Sequence, residues 1–256
     1  MTLREKLEAL RRYDTPSVTN VVASYPKAPQ YCLNLYDAWY GKWYTDQRIR
    51  CMYPELGAVA GLAVTCTYAL PGTATEPKTL RHVLREIRAK DAPVIVVIHQ
   101  DMPEEIRSRN GLCGGNMMTA FKATGAVGVL SDGPSRDIDE VRPMKMQYLL
   151  TGVTPGHGPF EITRVNTPVE ICGMEVSDGD VIHMDENGAV KFPLDRLDDV
   201  LERLAKLSAR ESDCMRRVRE AGDDVELIAD INAETFKYCP TRSVIKSLYP
   251  ASAGSK

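Results

Sequence analysis

Residues 110–141 read NGLCGGNMMTAFKATGAVGVLSDGPSRDIDEV. A glycine pair opens a helix over about 116–124. Ala126-Val-Gly-Val-Leu130 is then a short continuous apolar run, the pattern of a strand buried on both faces. Working outward, Pro93-Val-Ile-Val-Val-Ile98 repeats that pattern upstream, after a predicted helix over 76–90. GAVAGLAVTCTY (57–68) is an earlier strand, and Gln147–Thr151 a later one. Helix-connected buried strands predict an α/β fold. Beyond residue 160, TPVEICGMEVSDGDVIHMDENGAVKFP (167–193) holds three short strand candidates separated by Cys-Gly, Asp-Gly and Asn-Gly turns, an antiparallel segment.

The flanks are simpler. Leu3, Leu7 and Leu10 mark a short amphipathic helix over 3–12, and Thr15-Pro16-Ser17 starts a second through about Ser24. Residues 25–55 hold both tryptophans and six of the eleven tyrosines. They read as an aromatic loop on the surface, or as a lid or subunit contact. Residues 194–220 form the longest helix, with Leu197, Val200, Leu204 and Leu207 as its apolar stripe. The organisation expected is one domain over 1–240, with the aromatic insertion at about 25–55 and a tail at 241–256.

A net charge of −3 and a pI near 5.9 provide no global basic field, so neither nucleic acid nor an anionic membrane is the expected partner. The N-terminus lacks the apolar stretch of a secretory signal, and no run reaches the roughly 20 residues that span a bilayer. The seven cysteines are scattered and never form a C-x-x-C pair, which predicts free thiols and a cytoplasmic setting. The four histidines form no H-x-x-x-H pair; each reads as a core or surface residue, with His157 on a loop near the candidate site. There is no G-x-S-x-G elbow, Walker loop or dinucleotide fingerprint.

The chemistry lies in the opening stretch. Gly114-Gly115 before a helix is first of all a tight turn, but its unsatisfied amides can also hold an anion. Ser135 is placed to cap a following helix, with Asp137 in its first turn, where a carboxylate suits the dipole. A cation there does not, so Arg136 points to an anion nearby. Both loops stand beyond strand ends, where α/β sheets gather ligands.

These residues resemble the regulator of ribonuclease activity A-like family, which includes 4-hydroxy-4-methyl-2-oxoglutarate aldolases and oxaloacetate decarboxylases. The resemblance rests on GAVAGLAVTCTY, GGNMMTAFKATGAVGVLSDGPSRDIDEV, TGVTPGHG (151–158) and the 167–193 run, and covers most of the chain. It implies a β/β/α swivelling-domain-like core with mixed sheets and a long C-terminal helix, assembled as a homotrimer or homohexamer. It places the substrate loop on Gly114, Gly115, Asn116 and Met117, the substrate-binding arginine on Arg136 and the metal-ligating aspartate on Asp137. The implied reaction is carbon–carbon cleavage of a small 2-oxo acid through a pyruvate enolate, with Mg²⁺ or Mn²⁺ on Asp137 and the substrate carboxylate held in a bidentate contact by Arg136.

One departure stands out: the aldolases carry an aspartate twenty-one positions before the arginine, where this chain has Gly115. Their catalytic glutamate from a neighbouring subunit falls on Glu211. Leu197, Leu204, Glu211 and Val218 recur at seven-residue spacing, so Glu211 either interrupts a buried stripe or stands where the helix has left the core. The family also contains non-catalytic regulators that bind a ribonuclease or helicase. Those lack the aspartate after the arginine, so Asp137 favours a lyase over a regulator, while Gly115 leaves a metal-binding scaffold without activity as a third reading.

Overall fold

The apolar runs lie side by side in one mixed sheet. The computed structural model describes residues 1–24 and 30–236. Helices α1 (Leu3–Leu10) and α2 (Thr15–Val22) are followed by strands β1 (Arg50–Cys51) and β2 (Val59–Ala69). Helix α3 (Leu80–Ala89) leads to β3 (Val94–Asp101). The single turn α4 (Glu104–Arg107) and helix α5 (Gly115–Thr124) lead to β4 (Ala126–Ser131), and the single turn α6 (Ile138–Val141) to β5 (Gln147–Leu150). Strands β6 (Glu161–Val165), β7 (Val169–Ile171), β8 (Met174–Val176), β9 (Val181–Asp185) and β10 (Gly188–Phe192) come next, then helices α7 (Leu197–Glu220) and α8 (Val225–Phe236).

The strand order is β1-β5-β4-β3-β2-β9-β10, with β6 also paired to β2. Strands β2, β3, β4 and β5 run parallel, each joined to the next by a helical crossover, as parallel neighbours require. Every pair involving β1, β6, β9 or β10 is antiparallel. Alternation along β3 separates two packed faces. Val94, Val96 and Ile98 share a core with Val83 and Ile87 of α3 and Met118 and Phe121 of α5. Ile95 and Val97 face the β7–β8 hairpin through Val169, Ile171, Met174 and Val176. Hairpin, sheet and helices form the layered α/β core expected, and each such side chain contributes about 1.5–3 kcal/mol by burial.

The chain divides into two compact units, residues 1–19 with 42–201 and residues 20–41 with 202–256. The first carries the whole sheet. In it, the Thr2–Glu5 capping box starts α1, whose Leu7 and Leu10 are buried. The aromatic segment departs from a surface loop, because Trp43 and Tyr53 are core residues. The stretch around them is drawn in by the edge of β10: Lys191 N–H donates to Trp43 O and Thr45 N–H to Ala189 O. Trp39 and Tyr40, by contrast, are exposed.

Leu197, Val200 and Leu204 of α7 are buried, while Glu211 is only partly so. Helix α8, started by the Asp224 side chain accepting the Leu227 N–H at 3.0 Å, is an element the sequence reading did not contain. The expected tail at 241–256 lies outside the described residues. No helix among the described residues is long and apolar enough to cross a membrane, and Cys51, Cys66, Cys113 and Cys172 are free thiols.

Candidate active site

Three loops beyond the carboxyl ends of the parallel strands are tied together by backbone bonds. Leu112 N–H donates to Pro134 O, Ser135 N–H to Gly152 O, Thr154 N–H to Ser135 O, and Gly111 N–H to Gly156 O. Beneath them the buried Tyr148 hydroxyl lies within reach of Cys113 O (2.8 Å) and Leu112 O (3.2 Å) and hydrogen-bonds the Ser135 hydroxyl. Tyr148 comes from β5, so the sheet itself positions the glycine loop.

The loops enclose a cavity of about 150 Å³ whose lining includes Gly114, Asn116, Met117, Arg136, Asp137 and His157. Gly115 adjoins it as the first residue of α5. The structure thus gathers the predicted loop, Arg136 and Asp137 around one space, with His157 beside it as expected. Glu211 belongs to the second unit.

Asp137 does not sit in the first turn of a helix. It is the N-cap of α6, in the left-handed conformation (φ 57°, ψ 34°), and its side chain makes no cap bond. That conformation costs a non-glycine residue on the order of 1–3 kcal/mol. Here it turns the carboxylate back toward α5, where Oδ2 accepts the Gly115 N–H at 3.1 Å. Ser135 likewise caps no helix; its hydroxyl serves Tyr148 and the Arg136 carbonyl. Because Arg136 precedes the N-cap of a four-residue helix, the expectation that a helix dipole makes its charge unfavourable loses its premise. What holds it is local: Nε is 3.5 Å from Asp137 Oδ2, with both side chains about a third exposed (34% and 33%).

Gly114 makes the arrangement possible. A Cβ there would overlap Asp137 Oδ2 and come within 3.2 Å of Arg136 Nε. As N-cap of α5 it offers no side-chain cap, and the Asn116 and Met117 N–H groups make no hydrogen bond among the described residues. Two free helix amides beside a guanidinium are donors suited to a carboxylate. The other Asp137 oxygen accepts no hydrogen bond among the described residues. One carboxylate at the glycine cradle fits a divalent ion that keeps most of its water, as Mg²⁺ does. No group of three or more His, Cys, Asp or Glu side chains gathers at a metal-ligand arrangement among the described residues. Burial pushes the neighbouring Cys113 thiol well above its ordinary range, which keeps it a neutral core group rather than a nucleophile.

A larger cavity, about 900 Å³, lies at the other end of the same loop, beside His99, Arg107 and Asp132. Of the charged groups lining it, Arg48 pairs with Asp46, Arg107 with Glu104, His99 with Asp132 and Glu170 with Lys42, while Arg50 forms no ion pair among the described residues. Hydrogen bonding to Asp132 raises the His99 pKa. The predicted residues converge on the smaller cavity, and size alone does not outweigh that. The supporting roles of Tyr148 and Asp132 carried no sequence signal, because both act through contacts distant in the chain.

The RraA-like (Aldolase/RraA) family profile matches residues 32–191, and the chain belongs to that family. An uncharacterized Methanocaldococcus jannaschii protein is 30% identical over 42% of this chain and 50% of its own length. The 4-hydroxy-4-methyl-2-oxoglutarate aldolase of Thermus thermophilus is 31% identical over 33% of this chain and 52% of its own. The matched stretches thus span about half the length of these two relatives. The crystal structure of a Streptomyces coelicolor protein, described as an unusual member of the RNase ES inhibitor RraA protein family, shares the fold. Its TM-score is 0.57 at 20% identity, over 83% of this chain and 96% of that one.

Proposed function

We propose that the chain is a divalent-metal-dependent carbon–carbon lyase acting on a small 2-oxo acid, as a 4-hydroxy-2-oxo acid aldolase, an oxaloacetate decarboxylase or both. The observation that carries this reading is the Asp137 carboxylate, turned by a left-handed backbone onto the Gly115 N–H and standing beside the Arg136 guanidinium. Kinship with the Thermus aldolase supports the reaction class.

Arg136 receives the substrate carboxylate in a two-pronged contact, and the free amides of Asn116 and Met117 share its charge. Asp137 holds the cation, and Gly114 keeps the cradle open. A divalent ion such as Mg²⁺ or Mn²⁺ supplies Lewis-acid stabilisation of the charge that develops on the 2-oxo oxygen as the bond breaks. Phe160 and Met117 contribute apolar side chains to the cavity lining. On the family resemblance, Glu211 is the residue a neighbouring subunit contributes in a homotrimer or homohexamer.

The test is pyruvate release from oxaloacetate and a panel of 4-hydroxy-2-oxo acids, with and without chelator. Chelation is expected to abolish release, and Mg²⁺ or Mn²⁺ to restore it. Full activity in excess chelator contradicts the metal role. No turnover on any substrate, together with capture of a ribonuclease or helicase, would assign the chain to the regulators instead.

A further inference from the structure

Cleavage of a 4-hydroxy-2-oxo acid has a proton to move as well as a bond to break. The C4 hydroxyl loses its proton as the C3–C4 bond opens, and C3 gains one when the enolate becomes pyruvate. Among the described residues lining the smaller cavity, four carry titratable side chains: Cys113, Arg136, Asp137 and His157. Arg136 stays protonated, burial holds the Cys113 thiol neutral, and Asp137 is taken up by Gly115 and the cation. His157 remains, and an imidazole both accepts and returns a proton near neutral pH.

The loop that carries His157 is pinned on both sides of it. Gly156 O accepts the Gly111 N–H at 2.9 Å, and the Gly158 N–H donates to Asn110 Oδ1 at 3.2 Å. Asn110 is itself buried and donates to the buried Gln100 side chain near the end of β3. Residue 111 is a glycine at a close approach, since a Cβ there would lie 3.0 Å from Gly156 O and 3.1 Å from Thr154 O. Within the loop, His157 Nδ1 is 3.2 Å from Gly158 O. A carbonyl only accepts, so Nδ1 carries the hydrogen and Nε2 of the neutral ring keeps its lone pair. Nε2 makes no hydrogen bond among the described residues.

We propose that His157 is a catalytic residue of aldol cleavage, taking the C4 hydroxyl proton on Nε2 and returning it to C3. The C3–C4 electron pair passes into the enolate, the C4 oxygen becomes a carbonyl, and the returned proton completes the pyruvate methyl group. The ring ends as it began. Oxaloacetate needs no such base: its C4 leaves as carbon dioxide with no proton to remove, and C3 takes its proton from water. His157 thereby sets how well the site cleaves hydroxy acids relative to oxaloacetate.

This inference rests on the lyase reading, and the experiment separates the two. Pyruvate release from oxaloacetate and from a panel of 4-hydroxy-2-oxo acids is measured with Mn²⁺ for the parent, His157→Gln and His157→Ala. Pyruvate binding is followed by calorimetry on the same proteins. Both variants are expected to lose on the order of 10²-fold or more in kcat for hydroxy-acid cleavage, against less than about fivefold for oxaloacetate. Pyruvate affinity is expected to stay within about threefold of the parent, because the lost contact belongs to the reacting proton. Added imidazole is expected to restore part of the cleavage in His157→Ala. Cleavage at the parental rate, or an equal loss on both substrate types, overturns the proposal. A parent active on oxaloacetate alone also overturns it and leaves the lyase reading standing, whereas a parent that releases pyruvate from neither overturns both.

Discussion

Gly115 donates its backbone N–H to Asp137 at 3.1 Å, and that bond couples the start of α5 to the loop before α6. It leaves one Asp137 oxygen free for other work and fixes the carboxylate beside Arg136. The site is therefore sensitive to backbone spacing at the two glycines as much as to its charged side chains.

Gly114→Ala isolates that spacing. The residue has φ −64°, which alanine adopts freely, so backbone strain does not enter. The added Cβ instead displaces the Asp137 carboxylate and crowds Arg136. A displacement of about 1 Å at a reacting centre can cost on the order of 10²-fold. The variant is expected to lose at least about tenfold in kcat/KM for pyruvate release, with a thermal midpoint within ~4 °C of the parent. Unchanged turnover would mean that the Arg136–Asp137 pair is not the reacting centre.

Tyr148→Phe tests how β5 supports the loop. The hydroxyl is buried among Cys113 O, Leu112 O and Ser135. Removing it strands buried acceptors at a cost of about 1–3 kcal/mol, a fall in thermal midpoint of roughly 2–12 °C for a chain of this size. Ser135→Ala should cost less, because Tyr148 can still donate to Cys113. Equal midpoints for Tyr148→Phe and the parent would show that the network does not support the loop.

The pH dependence of stability carries two opposed contributions. His183 is fully buried, held between the Thr15 hydroxyl and Leu10 O, and burial lowers its pKa below the ordinary 6.5. The unfolded chain then binds the proton more readily, so stability is full above about pH 6.5 and declines as pH falls toward the folded value. Hydrogen bonding to Asp132 raises the His99 pKa above 6.5, so its contribution is full below pH 6.5 and declines as pH rises through the folded value. Denaturant midpoints from pH 5 to 8 should show His183→Asn flattening the acid side and His99→Asn the alkaline side. A parallel shift of the whole curve by either variant would contradict the assignment.

The buried strands were legible because apolar runs such as Val94–Ile98 have few other uses, and the helix–strand alternation dictated their parallel order. Gly114, Gly115, Arg136 and Asp137 were read as a group because they stand beyond consecutive strand ends, whereas Asn116 and Met117 joined them only through the family resemblance. The reason given for Arg136 was wrong, since a one-turn helix after Ser135 cannot be told from a longer one by local pattern. Trp43 and Tyr53 were hidden because aromatic residues serve surface loops and cores alike until the pairing of residues 43–45 with β10 is known.

The central claim, that Arg136 orients a 2-oxo acid beside Asp137, is tested most directly by Arg136→Lys in the pyruvate-release assay. Lysine keeps the charge but loses the paired donors that match a carboxylate. A charged hydrogen bond at that carboxylate is worth about 1.5–3 kcal/mol, which predicts a fall on the order of 10- to 100-fold in kcat/KM. Arg136→Ala should fall further, with the thermal midpoint unchanged in both. Pyruvate release at the parental rate in both variants would contradict the account.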